Sequence, residues 1–201
     1  MKVIGLTGPS GAGKSCCGAF LEKYGIPTID ADEVYHRLIG GPSECVTALR
    51  QFFGDTIVAP DGSVDRKALA AIVFGNEDSG KLQELNRITH SYVRRETLRM
   101  LEEFRSRSCR AVVVDAPLLF EASFDAFCDF TIAVLAPLDV RRARIMARDQ
   151  LTIEGADARL KAQKNDEYYS SRARHILFND STAEAMWSKL KEILVREGVC
   201  L

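Results

Sequence analysis

The chain has 201 residues, 46% of them hydrophobic and 27% charged, enough to bury the core of one domain with room for an inserted subdomain. Its formal net charge of −1 excludes a global attraction to nucleic acid or to an anionic membrane, so a small phosphorylated ligand held by a local site is expected. No apolar run approaches the roughly 20 residues that span a bilayer, and no signal-peptide pattern opens the chain. The six cysteines show neither a C-x-x-C pair nor metal-ligand spacing, so a cytoplasmic protein with reduced thiols is expected.

The first predicted element is an apolar strand over 2–7. Directly after it stand Gly8-Pro9-Ser10-Gly11-Ala12-Gly13-Lys14-Ser15, a complete G-x-x-x-x-G-K-[ST] phosphate loop. A buried strand, a Gly-rich turn and a helix start are the context this motif needs, because backbone N–H groups must converge on a phosphate at a helix N-terminus. The glycines permit turn conformations that other residues resist. Lys14 supplies charge for the β- and γ-phosphates of a nucleotide, and the Ser15 hydroxyl can hold Mg²⁺. The following helix is expected to run to about Tyr24 and to stop at Gly25.

Further strands are predicted over 27–30, 110–115, 129–135 and 174–178, alternating with helical patterns, which specifies a parallel sheet covered on both faces. The 79 residues from 31 to 109 far exceed a plain crossover and imply an inserted helical subdomain. Within it Asp61-Gly62 marks a turn, Asp65 is placed to cap a helix over 66–74, and Leu82, Leu85, Ile88 and Tyr92 recur at helical spacing as core. Residues 138–173 form a second insertion, with two charged helical stretches expected to meet at Gly155.

Ligands of open α/β sheets collect at the carboxyl ends of the strands. There strand 2 ends in Ile29-Asp30-Ala31-Asp32 and strand 3 in Asp115-Ala116-Pro117-Leu118-Leu119-Phe120-Glu121. Asp115 has the position of a carboxylate that supports Mg²⁺ beside a phosphate loop, or that of a helix cap. Asp30 and Asp32 are separated by one residue, so an extended backbone would point only one of them at the crevice, with Asp32 the nearer to a substrate; either could instead cap the next helix. Arg141, Arg144 and Arg148 share one helix face, either solvated or lowered onto transferring phosphates by a lid.

Taken together these segments resemble the dephospho-CoA kinases. The resemblance runs almost end to end and rests on Gly5-Leu6-Thr7-Gly8 with the phosphate loop, Ile29-Asp30-Ala31-Asp32, Phe53-Gly54, Asp61-Gly62, Asp65-Arg66 and Thr89-His90. It continues through Pro117-Leu118-Leu119-Phe120-Glu121, Arg144, Arg148-Asp149, Arg159 with Gln163, and Asn179. The family's usual loop reads Gly-Ile-Gly-Ser where this chain has Pro9-Ser10-Gly11-Ala12, with Thr in place of Cys16 and Pro in place of Ser91.

The resemblance implies an α/β P-loop NTPase fold with a nucleoside-monophosphate-kinase-like five-stranded parallel sheet. Its core would be 1–30, 110–137 and 174–201, with a CoA-binding subdomain over 31–109 and a lid over 138–173. It implies transfer from ATP, with Mg²⁺, to the ribose 3′-hydroxyl of dephospho-CoA. Asp32 would be the base, with Lys14, Arg144 and Arg148 the other catalytic residues. Gly11, Ala12, Gly13, Lys14, Ser15, Cys16 and Asn179 would bind ATP, and Asp32, Arg66, His90, Leu118 and Glu121 the acceptor, with Ser15 and Asp115 at the metal. His90 could equally be a packed polar residue. The alternatives are another nucleoside or nucleotide kinase, or a regulatory nucleotide switch, although no Asn-Lys-x-Asp guanine-reading motif is present.

Overall fold

A computed structural model, describing residues 1–75 and 80–201, pairs the apolar runs into a five-stranded parallel sheet of order β2-β3-β1-β4-β5. The strands are β1 (Lys2–Thr7), β2 (Thr28–Asp30), β3 (Ala111–Asp115), β4 (Phe130–Leu135) and β5 (His175–Phe178), each ending within a residue of its expected bounds. Val112, Val113 and Val114 are wholly buried, as a strand covered on both faces requires. The central strand β1 sets Leu6 opposite both Asp115 and Ile132, aligning the carboxyl ends of three strands.

By its contacts the chain divides into two compact units, Met1–Ile29 with Glu103–Leu201, and Asp30–Glu102. The segment 138–173 belongs to the first unit. In that unit α1 (Lys14–Lys23) and α9 (Ala183–Arg196) cover one face of the sheet, packing Phe20, Leu21, Met186, Leu190 and Leu194 on Ile4, Ile132 and Val134. Leu190 is wholly buried, so Leu190→Ala is expected to destabilise the protein by about 2–5 kcal/mol, measured by chemical denaturation. A loss below about 1 kcal/mol would contradict this packing.

The second unit holds α2 (Ala31–Ile39), α3 (Glu44–Phe53), α4 (Arg66–Phe74) and most of α5 (Lys81–Ser106). Its own core joins Ile39, Leu49, Ile57, Leu69, Val73 and Ile88. Asp65 caps α4 as its position predicts, accepting from the N–H groups of Lys67 and Ala68. Leu85, Ile88 and Tyr92 pack into this core, but Leu82 does not: at the start of α5 it stays 46% exposed. Residues 76–79, inside the expected 31–109 subdomain, lie outside the described residues.

A second expectation also needs correction. The break in the second insertion falls at 150–152, between α6 (Leu138–Asp149) and α7 (Ile153–Lys161), and Gly155 lies inside α7. Gln150 ends α6 in the left-handed region at φ 54°, and Thr152 starts α7 by accepting from the Gly155 N–H. The cap residue outweighs the glycine as a boundary signal. A short helix, α8 (Asp166–Ser170), follows.

Candidate active site

The phosphate loop leaves β1 against the backbone of β4. A Cβ on Gly8 would lie 2.2 Å from the Val134 carbonyl oxygen, and Gly8 holds φ 138°, so both the contact and the backbone demand glycine. The loop then turns through an Ala12 N–H bond to the Pro9 carbonyl (3.2 Å) and opens α1, where the Cys16 N–H returns to Gly13 (3.1 Å). The first N–H groups of a helix have no intrahelical acceptor, so those of Lys14 and Ser15 are available to an anion. The half-buried Lys14 extends along the loop, its Nζ donating to the Gly8 carbonyl at 3.3 Å.

Three side chains brace the loop. The buried Asn179, just past β5, donates from Nδ2 to the Ala12 carbonyl (2.8 Å) and through its backbone N–H to Leu135 (2.7 Å). From α6, Arg144 Nη1 reaches the carbonyls of Gly11 (3.1 Å) and Ala12 (3.3 Å). Arg148 Nη2 donates to Ser10 Oγ (3.2 Å), while the same guanidinium pairs with Asp149, which also receives Arg159 (2.6 Å). The arginine face is therefore turned to the loop. Its three members differ in burial, however: the Arg141 side chain is 5% exposed and that of Arg148 56%.

Asp115 ends β3 beside Leu6, and Thr7 Oγ1 donates to the Pro117 carbonyl (3.3 Å), joining the ends of β1 and β3. Asp115 and Lys14 both act on the Cys17 thiol, which is pushed up to about 12, first by burial, then by Cys16 and Asp115, against an opposing pull from Lys14. The six cysteines are free thiols, and Cys17 is held protonated in the core. Leu118 is 47% exposed beyond β3. Glu121, also exposed, stands near Tyr168 on α8, whose phenol is raised above its usual range first by burial and then by the Glu121 charge.

In the second unit Asp30 caps α2, its Oδ1 accepting from the N–H groups of Asp32 (2.8 Å) and Glu33 (3.0 Å). The strand thus stops at Asp30, and Asp32 stands exposed in the first helical turn rather than on an extended backbone. Arg66, the first residue of α4, donates from Nη2 to His36 Nδ1 at 3.0 Å. His90 lies half-buried in α5, which runs on helically through Ser91.

Sequence reasoning set Arg141 with Arg144 and Arg148 on a face either solvated or lowered onto phosphates, not as a buried brace of the loop, and assigned no role to Asp166 or Tyr168. Arg141 carried a signal, since it opens the arginine face nearest the loop; Asp166 and Tyr168 carried none.

A phosphate loop between the central strand and its helix, braced by arginines from the helix after β4 in a parallel sheet of this order, defines a P-loop kinase fold. A Thermus thermophilus protein of known crystal structure, TT1252, is similar over 97% of both chains at 34% identity, with a TM-score of 0.77. Residues 2–185 match the family model for dephospho-CoA kinase, and the chain belongs to that family. The dephospho-CoA kinase of Latilactobacillus sakei is 34% identical over 197 residues, 98% of this chain and 95% of the relative. That of Anaeromyxobacter dehalogenans is 38% identical over 96% of this chain and 91% of its own length.

Proposed function

We propose that this protein transfers the γ-phosphoryl group of ATP to the ribose 3′-hydroxyl of dephospho-CoA, giving CoA and ADP, the last step of CoA synthesis. The observation that carries this reading is the family match from residue 2 to residue 185, which takes in the phosphate loop and the acceptor-side motifs alike. In this reading 1–30, 110–137 and 174–201 form the nucleotide-binding core, 31–109 binds the acceptor, and 138–173 is the lid. The partners are small molecules and the setting is the cytoplasm. Among the described residues no helix is long and apolar enough to cross a membrane.

The acceptor 3′-oxygen attacks the γ-phosphorus as the bond to the β,γ-bridging oxygen breaks, and Asp32 accepts the hydroxyl proton. The loop from Gly11 to Cys16, the N–H groups of Lys14 and Ser15 foremost, and the Lys14 ammonium stabilise charge on the phosphate oxygens, with Arg144 and Arg148 completing the shell. Asn179 stands by the adenine, while Arg66, His90, Leu118 and Glu121 hold the acceptor.

The Ser15 hydroxyl and the Asp115 carboxylate are hard oxygen donors of the kind Mg²⁺ prefers. Bound there, Mg²⁺ would neutralise phosphate charge.

The arginines supply a graded expectation. Arg144→Ala should lower kcat by about 10²-fold, as for loss of one donor to developing charge. Arg148→Lys keeps one charge but loses the planar fork, and should lower kcat by about tenfold. Steady-state kinetics check both; unchanged rates would assign the face to bracing alone. The function itself is tested by offering the protein ATP, Mg²⁺ and a panel of acceptors and identifying the product by mass. Dephospho-CoA should gain one phosphate. Phosphorylation of a nucleoside or nucleoside monophosphate in its place would refute the proposal.

A further inference from the structure

Arg141 is a charged side chain in the interior, which is costly unless its donors are used. Burial depresses its pKa, opposed by Asp166 and Tyr169. Its Nε donates to the Ser10 carbonyl (3.2 Å), Nη1 to Asp166 Oδ1 (3.1 Å) and Nη2 to Gln163 Oε1 (3.5 Å). That same Gln163 oxygen accepts the Ser10 N–H at 2.8 Å. Both polar backbone groups of Ser10 are therefore held from the 138–173 segment.

The consequence follows from peptide geometry. In a planar trans peptide the carbonyl and the next N–H point in opposite directions. Drawing the Ser10 carbonyl toward Arg141 turns the Gly11 N–H away from α6, and drawing the Ser10 N–H toward Gln163 turns the Pro9 carbonyl toward its bond with Ala12. Contact is close along this seam: a Cβ on Gly11, at φ 78°, would meet the Arg141 carbonyl oxygen at 2.7 Å and its Cα at 3.0 Å. The two peptide planes at the tip of the phosphate loop thus have their orientation fixed by two side chains outside it.

We propose that Arg141 and Gln163 are positioning residues for the phosphoryl donor, presetting the phosphate loop through Ser10 so that its N–H groups meet the nucleotide already oriented. This rests on the loop being the ATP site, as proposed above. Preorganised donors bind without the cost of ordering a loop, so the effect falls on ATP affinity.

The test compares Arg141→Gln, Arg141→Met and Gln163→Leu. A glutamine Nε2 stands as many bonds from the backbone as the arginine Nε, so Arg141→Gln keeps a donor for the Ser10 carbonyl while losing the charge. Titration with a nonhydrolysable ATP analogue and Mg²⁺, together with steady-state kinetics, should show Arg141→Gln within about threefold of wild type. Arg141→Met and Gln163→Leu should each raise the ATP KM and the analogue Kd by about tenfold, with the dephospho-CoA KM within about twofold. Because they act on one peptide segment, the double variant should lose less than the product of the single losses.

If the ion pair with Asp166 were all that mattered, Arg141→Gln and Arg141→Met would be equally damaged, and that result overturns the proposal. So does an unchanged ATP affinity in folded Gln163→Leu, which decides the matter even should Arg141→Met fail to fold. Wild-type protein that binds no ATP analogue would instead overturn the proposed function.

Discussion

Lys14→Ala is expected to lower kcat by about 10²–10³-fold while leaving the fold in place. The side chain is half-buried along the loop, with its ammonium on the Gly8 carbonyl, and it belongs to no apolar cluster. Removing it takes away a mobile positive charge where the β- and γ-phosphates would sit, and leaves the glycine backbone that shapes the loop untouched. Far-UV circular dichroism and the melting temperature should match wild type within a few degrees, separating lost chemistry from lost structure. A folded variant with near-native turnover would remove the catalytic reading of the loop.

The second large effect is expected at Asp32. Asp32→Asn keeps the shape of the side chain but cannot take the 3′-hydroxyl proton, and kcat should fall by about 10²–10⁴-fold with ATP binding largely retained. Phosphoryl transfer passes through a loose transition state, which favours the lower end of that range. The neighbouring Asp30 provides the control, because its carboxylate already caps α2 through the N–H groups of Asp32 and Glu33. Asparagine caps as well as aspartate, so Asp30→Asn should stay within about threefold of wild type. Equal losses in the two variants, or none in Asp32→Asn, would contradict the assignment of the base.

Much of the architecture was legible because its signals are local. Apolar runs such as 111–114 have one stable use, as strands covered on both faces, and the phosphate loop fills every fixed position of its motif. Capping was legible too where the residue had a single reading, as at Asp65. It was ambiguous where two aspartates competed: sequence put Asp32 nearer the substrate but left either aspartate able to cap, and only the helix starting at Ala31 separates the cap from the residue beyond it. Gly155 misled because a glycine near a helix start looks like a boundary, while the boundary was set by Gln150 and Thr152.

The bracing of the loop was the least legible part. Helical spacing put Arg141 on a face with Arg144 and Arg148, but spacing cannot say which member of a face is driven into the interior. That depends on Gln163 and Asp166, more than twenty residues away and brought to Arg141 by the turns after α6 and α7. Tyr168, which meets Glu121 from α8, is likewise a product of tertiary packing.

The position at which phosphate is added defines the proposed reaction. Two acceptor analogues address it directly, dephospho-CoA lacking the ribose 2′-hydroxyl and dephospho-CoA lacking the 3′-hydroxyl, each incubated with ATP, Mg²⁺ and the wild-type protein. Product formation is followed by mass spectrometry. The 2′-deoxy analogue should gain one phosphate and the 3′-deoxy analogue none, while ATP stays intact. Phosphorylation of the 3′-deoxy analogue, or of neither analogue while a nucleoside monophosphate is converted, would contradict it.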